Sequence, residues 1–360
     1  MTTLGDDADF TSVHVTTTPN TNHATAFDVP KPPPPPGVYA LREDARKLAN
    51  RVDTFDDAAD SDDALNALHD LGYLAVERAL DEQSVQTCLD ELAVMARGEQ
   101  DLAKKFLERV GEVREAVSEG RIQVSDGDDH EALQYEAFAE TKAETEADAL
   151  KDLANVRKLQ GFVRHSPTLA ALAYRRDVLE LVAKAIGGGV RADDLQIHQS
   201  LALLKPPAPS GAEQGGREKP FHQDLAYFSI EPHTKIIGAW FALDDTDEKN
   251  GCMHFIPRGH QRGIWRHESI RDWQIDDADV LEASDGDGGP CVSVPLRRGG
   301  AVIFNGLSPH GTPPNVSASS TRRAVQFHYH AGARRITDEE RLEIFGGAAR
   351  GGGEINKTKW

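Results

Sequence analysis

The stretch "KPFHQDLAYF", Lys219 to Phe228, sets His222 and Asp224 two residues apart with Gln223 between them. On a β-strand, residues i and i+2 point to one face, so an imidazole and a carboxylate can aim into one cavity while Gln223 points away. That spacing suits two ligands of a single ion. A third is available in "AVIFNGLSPHGTPPN", where His310 is expected at the end of a strand, just before a Gly/Pro-rich turn. Two histidines and one carboxylate fill one face of an octahedral ferrous ion and leave the opposite face open to reactants. His-x-Asp alone is a weak signal, because 14 histidines make chance pairs common. The ordered set around it is stronger: a distal histidine in a strand and turn, then a basic residue opening the next strand.

That base lies in "TRRAVQFHY". The planar fork of arginine grips a carboxylate through two charge-assisted hydrogen bonds, which implies a co-substrate with a distal carboxylate. Arg322 and Arg323 face opposite sides of a strand, so only one can serve. Arg323 shares its face with Val325 and Phe327, Arg322 with Ala324 and Gln326, and the pattern alone leaves the choice open.

The elements that must position these groups change character along the chain. Residues 1–45 read as a disordered arm, in which "PKPPPPPG" allows only polyproline II or an extended tether. A helix over Ala64 to Asp70, a break at Gly72 and a strand from Tyr73 to Val76 follow, then an amphipathic helix in "DEQSVQTCLDELAVMARG" ending at Gly98. The acidic segment at about 100–153 reads as a helical insertion outside the core, with a loop at "SDGDDH" and solvated charge runs. "RRDVLELVAKAIGGG" is a helix stopped by glycines. Short β-type runs take over after it: "LQIHQSLALL", "IIGAWFAL", "CMHFIP", "CVSVPL", "AVIFN" and "RRAVQFHYH". The expected architecture is α+β, a double-stranded β-helix (jelly roll, cupin-like) with flanking helices, forming one domain over 46–345 before a Gly-rich tail at 346–360.

Bulk properties narrow the partners. With 360 residues and 39% apolar composition, the chain can bury a large core. A net charge of -19 repels nucleic acid and anionic membrane, so an anionic ligand needs a local basic pocket. Three cysteines in no paired spacing speak against a zinc cluster or a disulfide framework. The sequence lacks a spanning apolar run, a secretory block and, in its final "TKW", the peroxisomal tripeptide. The expectation is a cytoplasmic protein, with oligomeric state unread.

"HQDLAYF" followed by "GAWFALDDTDEKNGCMHFIPRGH" resembles the phytanoyl-CoA dioxygenase family of iron(II)/2-oxoglutarate oxygenases. The resemblance runs in order from roughly Asp63 to His330, includes Trp240 and the Asn250-Gly251-Cys252 turn, and is nearer to the family's phytanoyl-CoA hydroxylases than to its small-solute hydroxylases. It implies His222, Asp224 and His310 as iron ligands and Arg322 as the arginine for the 5-carboxylate of 2-oxoglutarate. Lys158, Leu201, Trp240 and Thr312 match further co-substrate contacts. Leu201 stands where the hydroxylases have methionine, and Thr312 where they have serine, which keeps the hydroxyl. The family also implies O2 as oxidant and ascorbate as a stimulant. Related halogenases carry a small residue in place of the carboxylate, so Asp224 points to hydroxylation. Without the resemblance, Trp240 and Leu201 read equally as core, Lys158 as a solvated helical lysine, and Thr312 as a turn hydroxyl. His254, His260, His328 and His330 read as hydrogen-bonded structural residues.

The resemblance implies hydroxylation of an aliphatic C–H, at the 2-position of a branched or fatty acyl-CoA, with a small metabolite or natural product as the alternative substrate. CoA phosphates need cations at the mouth, and Lys205, Arg217, Lys219, Arg258 and Arg262 flank the proposed site, where they read equally as loop charges for solubility. A metal-bearing jelly roll that only binds a ligand, or a metal-dependent hydrolase or isomerase, is the competing class.

Overall fold

The computed structural model describes residues 39–42, 50–119, 131–136, 153–213, 215–283 and 289–347. Eight strands form the major sheet, in the order β1 (Arg51–Val52), β2 (Tyr73–Val76), β12 (Ala301–Asn305), β7 (Ile237–Ala242), β14 (Arg322–His330), β5 (Gln196–Lys205), β4 (Val156–Gln160) and β3 (Ala132–Tyr135). The minor sheet runs β11 (Val292–Val294), β8 (Met253–Phe255), β13 (His310–Thr312), β6 (Lys219–His222). A separate hairpin pairs β9 (His267–Ser269) with β10 (Trp273–Ile275). Among the described residues, only β1 and β2 pair in parallel within the major sheet.

Period two decides which side chains reach the site. Ile303 of β12, Ala239 and Phe241 of β7, and Val325, Phe327 and Tyr329 of β14 belong to the large core under the helices. Their neighbours Val302, Phe304, Trp240, Ala242 and Ala324 pack with Tyr73, Met253 and Phe255 between the sheets. The inner layer is therefore where Arg322, Gln326 and the metal-ligand candidates can meet. The expected jelly roll, α+β with flanking helices, is the fold found.

The helices start and stop where local chemistry dictates. Ser61 accepts from the Ala64 amide and caps the helix Asp62–Leu71, which ends on Gly72 at φ 91°. Asp81 accepts from the Ser84 amide and caps the helix Glu82–Arg97, which ends on left-handed Gly98. Further on, Arg176–Ile186 forms a helix closed by Gly187.

Three expectations need correction. The acidic insertion is not wholly helical or external: Asp101–Ser118 is a helix whose Phe106 and Val110 join the large core, but Ala132–Tyr135 is strand β3, the edge of the major sheet. Alternation in "EALQYE" with Leu133 buried explains it, since a half-buried edge outweighs the helix-favouring composition. Lys158 lies on strand β4 rather than on a helix. The arm does not stay free up to residue 45: Tyr39 packs edge-on against Phe221, and the Arg42 amide donates to the Cys291 carbonyl at 2.9 Å. The "PKPPPPPG" and "SDGDDH" stretches and the tail from 348 lie outside the described residues.

Candidate active site

His222 is the last residue of β6, and Asp224 opens a 3-10 turn, Asp224–Tyr227, so the strand ends one ligand earlier than expected. The same-face relation survives because Gln223 is nailed outward. Its side chain donates to the Gly263 and Leu307 carbonyls at 2.8 and 2.7 Å and accepts from the Trp265 amide at 2.9 Å. His310 begins β13 rather than ending a strand, and it sits directly opposite His222 across the β13–β6 ladder.

Each imidazole is oriented by its backbone. Nδ1 of His222 donates to the Pro220 carbonyl at 2.8 Å, and Nδ1 of His310 to that of Ser308 at 2.9 Å. With the proton there, both Nε2 lone pairs turn inward, 3.2 and 3.6 Å from Oδ1 of Asp224. Ligand atoms of the three side chains all lie within 4.8 Å of one another, and all three residues are buried. Burial pushes His310 down to about 4, so it is neutral near pH 7. Burial opposes ionisation of Asp224, yet His310, His328 and its hydrogen bonds outweigh that and hold it well below the usual carboxylate range. Two imidazole nitrogens and a carboxylate oxygen converging on one buried point form a site that a divalent cation would satisfy. The donor set, two imidazoles and one carboxylate, fits ferrous iron.

The triad opens into a cavity of about 120 Å³ between the sheets, on the order of ten times what one water needs. Lys158, Leu201, Trp240, Thr312 and Arg322 all line it, so every site residue expected from the sequence reaches the same space. Arg322 is 2% exposed, its Nη1 donates to the Leu203 carbonyl at 3.1 Å, its guanidinium lies 5.7 Å from the Trp240 ring centre, and its Nε has no hydrogen-bond partner. Burial pushes it down to about 10, which leaves it charged at neutral pH. Arg323 is spent on the other face: its side chain forms a fork on Asp244 at 2.8 and 2.6 Å.

Sequence reasoning missed the part that several groups take in the site. A register shift opposite Gln134 and Tyr135 inserts Arg157 as an extra residue of β4, so that Arg157 and Lys158 both face the cavity. Nothing in the alternation announced that bulge. Gln326 and His328 were visible as the i+4 and i+6 residues on the Arg322 face, and both contact Asp224. Lys205 is buried and donates to the Thr312 and Pro313 carbonyls at 3.0 and 2.5 Å, bracing the turn after His310. Burial first, then Arg322 and Arg157, drives its pKa well down.

Gly251 makes room for that lysine. At φ +90°, a Cβ would stand 2.6 Å from the Pro313 carbonyl oxygen and 3.0 Å from Cδ of Lys205. Gly251→Ala is therefore expected to destabilise the fold by about 1–3 kcal/mol, read as a lower Tm with the cavity's ligands omitted. An unchanged Tm would show that the turn and lysine can shift freely.

Of the five cations considered for CoA phosphates, Lys205, Arg217 and Lys219 line the cavity, each already engaged by another group. Besides buried Lys205, Arg217 pairs with Glu136 and Lys219 with Asp272. Arg258 pairs with Asp70, and Arg262 lies over Trp265, both off the cavity wall.

A double-stranded β-helix carrying a buried His-x-Asp…His set defines a jelly-roll protein with the donor set of a non-haem iron centre. Residues 68–324 match the family "Phytanoyl-CoA dioxygenase (PhyH)", and the chain belongs to that family of 2-oxoglutarate-dependent oxygenases. Phytanoyl-CoA dioxygenase domain-containing protein 1 of Danio rerio is 33% identical over 136 residues, 37% of this chain and 44% of that protein. Its Rattus norvegicus counterpart is 31% identical over 169 residues, 46% and 53% of the two chains. The chain thus spans about half the length of the curated relatives it matches. Among solved structures, EctD from S. alaskensis in its apoform is similar in fold, with a TM-score of 0.51, 17% identity and coverage of 83% and 85%. Among the described residues, no helix is long and apolar enough to cross a membrane.

Proposed function

We propose that the chain is an iron(II)/2-oxoglutarate-dependent dioxygenase that hydroxylates an aliphatic C–H bond of a small molecule, within one catalytic domain over about 46–345. The carrying observation is the buried triad sharing one cavity with a charged, incompletely hydrogen-bonded Arg322. His222, Asp224 and His310 would hold the iron. When bound, iron with 2-oxoglutarate and O2 supplies the oxidising chemistry, in which decarboxylation to succinate and CO2 accompanies transfer of one oxygen atom to the substrate.

The chain's own part is to bind and to orient. Arg322 supplies a fixed guanidinium for the distal carboxylate, and Trp240 packs under it. Thr312 and Lys158 offer a hydroxyl and an ammonium to the same space, while Leu201 keeps one wall apolar. Those walls exclude water, so the charge pairing inside is stronger than it would be in solvent.

Arg217, Lys219 and Arg258 each pair with a carboxylate and Lys205 is committed to two carbonyls, which favours a substrate without CoA phosphates, and a free acid or other small metabolite is the reading adopted. The test is a panel of acyl-CoAs and free small molecules, scored by succinate release from iron-loaded protein. Succinate linked to a small molecule, and suppressed by N-oxalylglycine, is expected. Release with acyl-CoAs alone overturns the substrate class, and turnover with Zn(II) in the absence of oxygen overturns the oxygenase.

A further inference from the structure

The two oxygens of Asp224 have different company. Oδ1 faces Nε2 of His222 at 3.2 Å and Nε2 of His310 at 3.6 Å. Oδ2 is turned away from them, 2.7 Å from Nε2 of His328 and 3.2 Å from Nε2 of Gln326. His328 is fully buried, stacked edge-on to Phe228, and its Nδ1 has no hydrogen-bond partner. A single ring proton on Nδ1 would bury an unsatisfied N–H, whereas on Nε2 it meets a carboxylate oxygen, so the Nε2–H tautomer is the stable one. The Gln326 amide nitrogen also reaches Oδ2, at 3.2 Å, and lies 2.8 Å from Nε2 of His328, so the three groups form one cluster about that oxygen.

We infer that His328 and Gln326 are positioning residues that lock Oδ2 of Asp224, so that Oδ1 alone is presented to the ion. This rests on the oxygenase reading above and deepens it. A carboxylate free to turn could offer both oxygens and fill a position that co-substrate or dioxygen needs; two donors on Oδ2 prevent it. The arrangement also makes β14 a rigid link. Arg322, Gln326 and His328 project from one face of one strand, so the co-substrate anchor and the carboxylate clamp are set by the same backbone. Partners that orient a ligand typically change metal affinity or activity by about 10–100-fold when removed.

The test is anaerobic titration of the metal-free full-length protein with Co(II), read from its visible d–d bands, alongside the KM for 2-oxoglutarate at saturating iron. His328→Leu is expected to weaken Co(II) binding about 10–100-fold, while His328→Gln, which retains an N–H, restores most of it. Gln326→Leu is expected to show a smaller loss. The co-substrate KM should rise in His328→Leu, because the second carboxylate oxygen then contests a position the keto acid needs, and should recover in His328→Gln. A folded His328→Leu protein with wild-type Co(II) affinity overturns the inference. Should that variant not fold, unchanged affinity in Gln326→Leu overturns it instead. Wild-type protein that binds neither Co(II) nor Fe(II) would sink the oxygenase reading itself, a result separable from either variant outcome.

Discussion

Asp224→Ala is expected to abolish iron-dependent succinate formation and to weaken metal binding by about 3–5 kcal/mol, on the order of a thousandfold. Asp224 is the one anion of the triad, buried between two imidazoles of which His310 is held neutral by burial. Removing it leaves a divalent ion with two neutral ligands and no compensating charge in a water-poor site. It also strands the His328 N–H and the Gln326 amide, each left without its acceptor. A thermal melt must therefore accompany the assay, so that loss of metal is separated from loss of fold. Asp224→Asn provides the control, since the amide nearly preserves shape but carries no charge. Both variants should lose metal, with Asn the more stable of the two. Substrate-linked succinate release persisting in either would remove Asp224 from the metal site.

Much of this site was legible in advance because it depends on short-range rules. The i, i+2 relation placed His222 and Asp224 together even though the strand stops between them, since the fully buried Gln223 pins the intervening residue outward. The same rule split Arg322 from Arg323, and packing then told the faces apart: Val325 and Phe327 lie under the helices, so Arg323 had to leave on that side and found Asp244. What could not be read was anything set by register between distant segments. Arg157 reaches the cavity through a bulge opposed by β3, a strand hidden in acidic, helix-favouring sequence. His328 looked like an ordinary strand histidine because its partner lies 104 residues away. Lys205 read as a loop cation at the mouth, and only the fold shows it threaded beneath Gly251 to two carbonyls. Local alternation specifies faces; it carries no information on which residue of another strand stands opposite.

Arg322→Ala is expected to raise the KM for 2-oxoglutarate by about thirtyfold to several thousandfold, the consequence of losing a desolvated charge-assisted pair worth roughly 2–5 kcal/mol. Arg323→Ala should leave that KM within about threefold, but lower the Tm, because Asp244 loses the fork on its carboxylate. The asymmetry follows from burial and commitment. Arg322 is enclosed, charged and short of hydrogen bonds, so its desolvation is compensated only when an anion arrives. Arg323 already has its anion. Arg322→Lys should recover part of the affinity, since a point charge replaces the pairing energy incompletely and cannot fork. The metal affinity of all three variants should match wild type, which separates anchoring of the co-substrate from assembly of the triad. If KM instead follows Arg323, the anion binds on the helix side of β14, and the cavity between the sheets is not where the keto acid sits.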